Sequence, residues 1–278
     1  MSGRRLRSAN IAEDSSGRQY HIGAAPGEIS RYVLLPGDPG RTEIISSEWD
    51  ERRLIARHRE FVTYTGKYRG VPISVTSTGI GAPSTLIAVE ELLRVGADTF
   101  IRVGTMGSIR SSIKVGDLVI GLGAVRYEGA SKDYAPPEYP AVAHPTVVSS
   151  LIAAASSLGV RFHVGIIAST DTFYLGQSRP GLNGLMTQEA AGRLPLLREL
   201  GVLGFEMEAS ALFTVSQIYG ARAGCICAAI ANRATNEFVP EAGVKDAVRV
   251  ANEAVRILAD MDREGEWSWA LRAAGIRM

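Results

Sequence analysis

Apolar residues in this chain cluster in short continuous runs, and the segments between those runs carry apolar positions at helical spacing. Tyr32-Val-Leu-Leu35 is one such run and stops at Pro36-Gly-Asp-Pro-Gly-Arg41. This predicts a buried strand, a turn and a helix beginning near Thr42. Phe61 to Tyr64 and Val71 to Ser77 are β-rich runs joined by Gly66-Lys-Tyr-Arg-Gly70, a hairpin signal, and the second leads into Thr78-Gly-Ile-Gly-Ala-Pro-Ser84. A helix is expected from Pro83, with Leu86, Val89, Leu92 and Leu93 on one side, ending at Gly96 before a strand over Thr99 to Val103. That strand is expected to run into a glycine-rich loop, Gly104-Thr-Met-Gly-Ser108.

In the second half, Asp117 to Val125, Phe162 to Ala168 and Ala221 to Ala231 read as strands. Pro145 to Leu158, Leu194 to Leu200 and Met207 to Tyr219 read as helices or parts of them. Glu241 to Met261 reads as the longest helix, with Val244, Ala247, Val248, Ala251, Ala254, Val255 and Leu258 on one stripe. Aliphatic strands alternating with helices imply a mixed, largely parallel sheet covered on both faces, an α/β fold built as an α/β/α sandwich. No linker or internal repeat interrupts it, so residues 1–278 read as a single domain, with a flexible basic tail at 1–18 and a C-terminal extension at 263–278. The Trp267-Ser-Trp269 pattern reads as tail or interface packing.

Composition narrows the class. With 46% hydrophobic residues, 21% charged residues and a net charge of +1, the chain is a folded protein with neither a broad basic footprint for nucleic acid nor a polybasic patch for membranes. No apolar stretch reaches the roughly 18 to 20 residues of a membrane span. No apolar segment follows Arg4, Arg5 and Arg7, so no secretory signal is read and the cytoplasm is the expected location. Cys225 and Cys227, the two cysteines, have a spacing that suits neither a structural zinc site nor a C-x-x-C redox pair, and they read as core thiols.

In open sheets of this kind ligands sit outside the carboxyl ends of the strands, which directs attention to the loops after Leu35, Ser77, Val103 and Ala168. Gly37 with Arg41, the Gly79 to Ser84 segment, and Arg102 with Gly104-Thr105 combine free backbone N–H groups with guanidinium forks, the ingredients of an oxyanion site. Arg102 lies in an otherwise apolar strand and needs an anionic partner, from the protein or from a ligand. No loop matches the P-loop or G-x-G-x-x-G patterns, so free phosphate or a small phosphorylated ligand fits better than a nucleoside triphosphate or dinucleotide. Glu206 and Glu208 fall at the start of an apolar helix, where they either complement its dipole or supply a bidentate acceptor for two sugar hydroxyls. Their spacing points them in different directions, so their tasks should differ.

Taken in order, Pro36-Gly-Asp-Pro-Gly-Arg41, His58-Arg-Glu-Phe61, Ser77-Thr-Gly-Ile-Gly-Ala-Pro-Ser84, Arg102-Val-Gly-Thr105, Asp171-Thr-Phe-Tyr-x-Gly-Gln-x-Arg179 and Phe205-Glu-Met-Glu-Ala-Ser210 resemble the nucleoside phosphorylase family of hexameric bacterial architecture, and most closely its uridine-cleaving branch. The similarity runs from about Tyr32 to Asp260. It implies a three-layer sandwich whose central mixed sheet is partly barrel-like. It also implies phosphorolysis of uridine, or of deoxyuridine or thymidine, by inorganic phosphate to uracil and ribose 1-phosphate, a reaction of pyrimidine salvage. By that resemblance phosphate is held by Gly37, Arg41, Arg102 and Thr105, with Arg59 donated by a neighbouring subunit of a homo-oligomer. Ribose is held by Glu208 and Met207, with Glu206 in support and His21 supplied by the neighbour. A monovalent cation such as K+ lies at the dimer interface near Glu60, Ile80 and Ser84, and no cofactor is required.

Gln177 and Arg179 match the base-recognising pair: an amide can donate to uracil O2 and accept from N3–H, while an arginine donates to O4. Phe173 packs against a ring, and Arg233 supports Arg179 and its loop. The purine branch places an aspartate after the last strand, whereas this chain reads Ile230-Ala-Asn-Arg233-Ala-Thr. Catalysis then needs only that phosphate stabilise and attack the cationic ribose while Gln177 and Arg179 stabilise the departing base. The competing readings are a purine nucleoside phosphorylase or nucleosidase of the same fold, and a non-catalytic nucleoside-binding protein. Met106, Ala234 and the segment Pro180 to Arg193 depart from the family pattern and bear on pocket shape.

Overall fold

Four apolar residues in a row become a strand, β1 (Tyr32–Leu35), that is buried along its whole length. The computed structural model describes residues 6–265, and the Trp267-Ser-Trp269 pattern lies outside them. After β1 come α1 (Pro39–Ser46), β2 (Glu51–His58), β3 (Phe61–Tyr68), β4 (Val71–Thr76), α2 (Ala82–Arg94), β5 (Thr99–Ser108) and β6 (Leu118–Arg126). Then follow α3 (Pro145–Ser157), β7 (Phe162–Ser169), α4 (Gln188–Glu199), β8 (Gly204–Glu206), α5 (Ala209–Ile218), β9 (Arg222–Asn232), β10 (Glu237–Phe238) and α6 (Val244–Glu264).

All ten strands join one mixed sheet in the order β10-β9-β6-β7-β8-β5-β1-β4-β3-β2, and β9 also pairs with β5. The second pairing closes β5, β8, β7, β6 and β9 into a ring, the barrel-like part of an otherwise open sheet. β1 lies parallel to β4 and β5, and β5 parallel to β9, while β6 and β9 are antiparallel. Helices cover both faces, and α6 packs its apolar stripe, Val244 to Leu258, into the main core. Cys225 and Cys227 are free thiols inside that core.

Among the sequence expectations that change, two bear on the site. The strand starting at Thr99 does not end at Val103: it continues through the supposed loop to Ser108, paired with β9 from Thr99↔Arg222 to Ser108↔Asn232. Its glycines serve close approach instead of a turn, since a Cβ on Gly104 would lie 2.7 Å from Arg102 Nη2 and 3.0 Å from Cys227 Sγ. A bulge between Met106 and Gly107 bends the strand toward β8. The helix expected from Met207 starts at Ala209, because Glu206 ends β8 and Glu208 is the cap residue. Strand β2 carried no apolar signal, being largely exposed, and exists through its pairing with β3.

Of the segment expected as a basic tail, residues 6–18 form a hydrogen-bonded loop. Arg7 pairs with Glu13 at 2.9 Å, and Arg18 makes a bidentate contact with Glu28 at 2.7 and 2.8 Å.

At Gly66 on β3 an added Cβ would fall 1.9 Å from the Glu51 carbonyl oxygen, a backbone atom that cannot yield without breaking the β2–β3 register. Gly66→Ala is therefore expected to destabilise the protein by about 2 kcal/mol or more in denaturant unfolding. Wild-type stability of that variant would contradict the register.

Candidate active site

The carboxyl ends of β1, β4, β5, β7 and β8 converge on one cavity of about 490 Å³. Its walls include Gly37, Arg41, Ile80, Arg102, Thr105, Phe173, Gln177, Arg179, Glu206, Met207 and Glu208, bringing together most of the residues singled out from sequence. Arg233 lines an adjoining cavity with Arg179. Phe205, Ile230, Ala231 and Phe238 also face the main cavity. Phe238 escaped sequence reading because β10 is only a two-residue strand, and the turn before it, with Asn236 at φ 60°, was the available signal.

The anionic partner that Arg102 requires is protein. Its Nε lies 2.8 Å from Glu206 and its Nη2 2.5 Å from Glu208, in a site where all three side chains are nearly sealed from solvent. Burial opposes the Arg102 charge, but two facing carboxylates outweigh it and hold the guanidinium firmly protonated. One cation against two acids leaves excess negative charge, so burial, with Glu206 adding to it, pushes the Glu208 carboxyl up against the pull of Arg102.

The two acids do different things. Glu206 is saturated: it accepts from Arg102, from the Ser169 hydroxyl, and from the backbone N–H groups of Glu208 and Ala209 at 2.9 Å each, closing the start of α5. Glu208 accepts from Arg102, from Gly81 N at 2.6 Å and from Met207 N at 3.2 Å. A carboxylate has about four acceptor positions, so Glu208 keeps roughly one for a ligand and gains a second where Arg102 turns away.

Arg41 is the counterpart with no carboxylate in ion-pair contact among the described residues. It is 7% exposed, touches only the Val103 carbonyl at 3.3 Å through Nη1, and its buried Nε has no partner among the described residues. Burial lowers its pKa against the weaker pull of the Asp38 and Glu241 carboxylates, neither of which is in ion-pair contact with it among the described residues. Gly37, on the same cavity wall, is packed against Gly79, whose carbonyl oxygen an added Cβ would approach to 3.0 Å.

Elsewhere on the cavity wall Gln177 donates from Nε2 to Thr170 Oγ1 at 3.2 Å and accepts from Arg179 Nη1, so its amide keeps a free hydrogen and a free lone pair. Arg179 stacks 3.9 Å from the Phe173 ring centroid and donates to the Phe173 carbonyl at 2.9 Å. Burial, with Arg233 adding to it, pushes the Arg179 pKa down to about 10. Arg233 clamps the same loop by donating to the carbonyls of Gln177 at 2.8 Å and Ser178 at 3.0 Å. Met106 lines the cavity wall, while its terminal methyl packs where a Cβ on Gly204 would lie 2.3 Å away.

Arg59 and His21 do not line the cavity of their own chain. Arg59 is exposed at the β2–β3 turn in a left-handed conformation, φ 53°, with no partner among the described residues. Beside it, the Ser84 hydroxyl donates to Glu60 at 3.2 Å and to the Thr78 carbonyl, a set of hard oxygens of the kind an alkali cation accepts, to which Ile80 can add only its backbone carbonyl.

A sheet with closed and open regions thus carries one cavity lined by an arginine with a partnerless Nε and by an amide–guanidinium pair. The phosphorylase superfamily model matches residues 31–261, and the chain belongs to that family. It is 60% identical, over 93% of both chains, to uridine phosphorylase of Thermococcus kodakarensis. It is also 40% identical to uridine phosphorylase of Escherichia coli strain K12, over 86% of this chain and 97% of that one. A guanosine phosphorylase of Halorubrum lacusprofundi is 38% identical over 76% of this chain and 82% of its own.

The Ser169 hydroxyl bridges Glu206 and the Ser210 N–H at 2.8 Å in a fully buried position. Ser169→Ala should lower the unfolding free energy by roughly 1 to 3 kcal/mol, because both partners are left unsatisfied. Equilibrium denaturation reads this directly.

Proposed function

We propose that this protein catalyses the phosphorolysis of uridine to uracil and ribose 1-phosphate, serving pyrimidine salvage. The observation that carries this reading is the lining of one cavity: Arg41 with a buried, partnerless Nε, Gln177 and Arg179 with free donor and acceptor positions, and Glu208 with acceptor capacity to spare. The relatives named uridine phosphorylase, at 60% and 40% identity, support it.

Phosphate sits with Gly37, Arg41, Arg102 and Thr105. Glu208 and the Met207 backbone take the ribose 2'- and 3'-hydroxyls, and the Glu208–Arg102 contact can exchange as phosphate draws Arg102 toward itself. As the glycosidic bond breaks, positive charge grows on the ribose and negative charge on the base. Phosphate stabilises and attacks the first, and Arg179 and Gln177 receive the second in a water-poor site already aligned for it. Phe173 stacks on the ligand and Arg233 holds the base loop in place. Deoxyuridine and thymidine present the same polar edge and are expected to react.

The working enzyme is a homo-oligomer whose cavities are completed by Arg59 and His21 of a neighbour. Support comes from their position outside the cavity of their own chain and from the unpaired state of Arg59. The Glu60–Ser84 oxygens near Ile80 hold a monovalent cation, K+, in that interface. No helix among the described residues is long and apolar enough to cross a membrane, in keeping with a cytoplasmic location.

Ultraviolet-monitored cleavage of uridine, thymidine and inosine, with and without phosphate, tests the reading. Loss of uridine only with phosphate is expected, while inosine cleavage, or cleavage indifferent to phosphate, overturns it. Arg41→Ala should reduce phosphorolysis by about 100-fold and abolish thermal stabilisation by phosphate. Gln177→Ala should raise KM for uridine by roughly 10- to 100-fold with KM for phosphate unchanged, and an unaltered substrate profile removes its role.

A further inference from the structure

Ahead of β1, the chain at His21 is fastened to a single side chain of α2, Glu91. The carboxylate accepts from His21 N at 3.0 and 3.1 Å, from Ile22 N at 2.8 Å, and meets His21 Nδ1 at 2.6 Å, the shortest of these contacts. Glu91 is 5% exposed, whereas the His21 side chain is 27% exposed, so a buried acid holds a partly open imidazole. A carboxylate only accepts, so Nδ1 carries a hydrogen, and Nε2, which has no partner among the described residues, is left for an outside hydrogen-bond partner.

The ring is also fixed in angle. Tyr20 and Phe61 meet it edge-on at 4.8 and 6.1 Å, and His58 Nδ1 donates to the His21 carbonyl at 3.2 Å. An acid that served only to pin the backbone would be satisfied by the two amides. The ring contact adds a hydrogen fixed on Nδ1.

We propose that Glu91 is a positioning residue that acts through His21, engaging Nδ1 and fixing the aim of the ring so that Nε2 hydrogen-bonds the nucleoside 5'-hydroxyl in a neighbouring copy's cavity. This rests on the reading of His21 as a ribose ligand supplied by the neighbour. The 5'-hydroxyl follows by elimination: Glu208 and Met207 take the other two hydroxyls, and C1' carries the base and receives phosphate. Glutamine at position 91 keeps the shape but can present either N–H or oxygen to Nδ1, so the hydrogen on Nδ1 is no longer imposed.

The test compares kcat/KM for uridine and 5'-deoxyuridine in wild type, Glu91→Gln, His21→Ala and the double variant. Glu91→Gln is expected to lose about 10-fold on uridine and less than about 2-fold on 5'-deoxyuridine, with the double variant no worse than His21→Ala. Equal losses on both substrates, or additive losses in the double variant, make Glu91 merely structural and overturn the proposal. If His21→Ala leaves uridine cleavage unchanged, the ribose role of His21 fails, and the proposal falls with it. If the glutamine variant does not fold, Glu91→Asp, which keeps the charge but withdraws it by one methylene, reads the same ratio of substrates and is held to the same outcomes.

Discussion

The Arg102 guanidinium, buried between Glu206 and Glu208, is the contact on which the rest of the site depends. It joins β5 to the end of β8 and the start of α5, and those elements carry the floor of the cavity. Burying one cation with two acids is costly unless every hydrogen-bonding position is used. Glu206 meets that condition with four donors, while Glu208 leaves capacity unfilled on the cavity side. Two carboxylates two residues apart thus differ in how fully the protein itself uses them.

The closed part of the sheet makes this arrangement possible. Because β5 pairs with β9 along its whole length and with β8 at its end, the backbone from Gly104 to Ser108 is rigid where a loop would be mobile. Glycines at 104 and 107 leave room for the Arg102 and Arg179 guanidinium groups against that backbone. Three arginines, Arg41, Arg102 and Arg179, then share one cavity with only Arg102 carrying carboxylate partners. Guanidinium groups without a carboxylate in contact are thus fixed on the cavity wall before any anionic group arrives.

The sequence by itself determined the class of fold, because continuous apolar runs such as Tyr32–Leu35 and Ala221 to Ala231 have to be buried on both faces, and the stripe from Val244 to Leu258 has to cover them. It also marked most of the site, since arginine in an apolar strand and paired acids at a helix start are chemically conspicuous even without neighbours. Tertiary structure alone decided which acid is saturated and which is open, that the glycine-rich segment after Val103 is strand, and that Arg102 is ion-paired with two carboxylates while Arg41 touches none among the described residues. It also decided that polar β2 and two-residue β10 exist, and that Glu91 meets His21 from 70 residues away. Such facts depend on pairing partners and distances between segments remote in the chain, which no local pattern encodes.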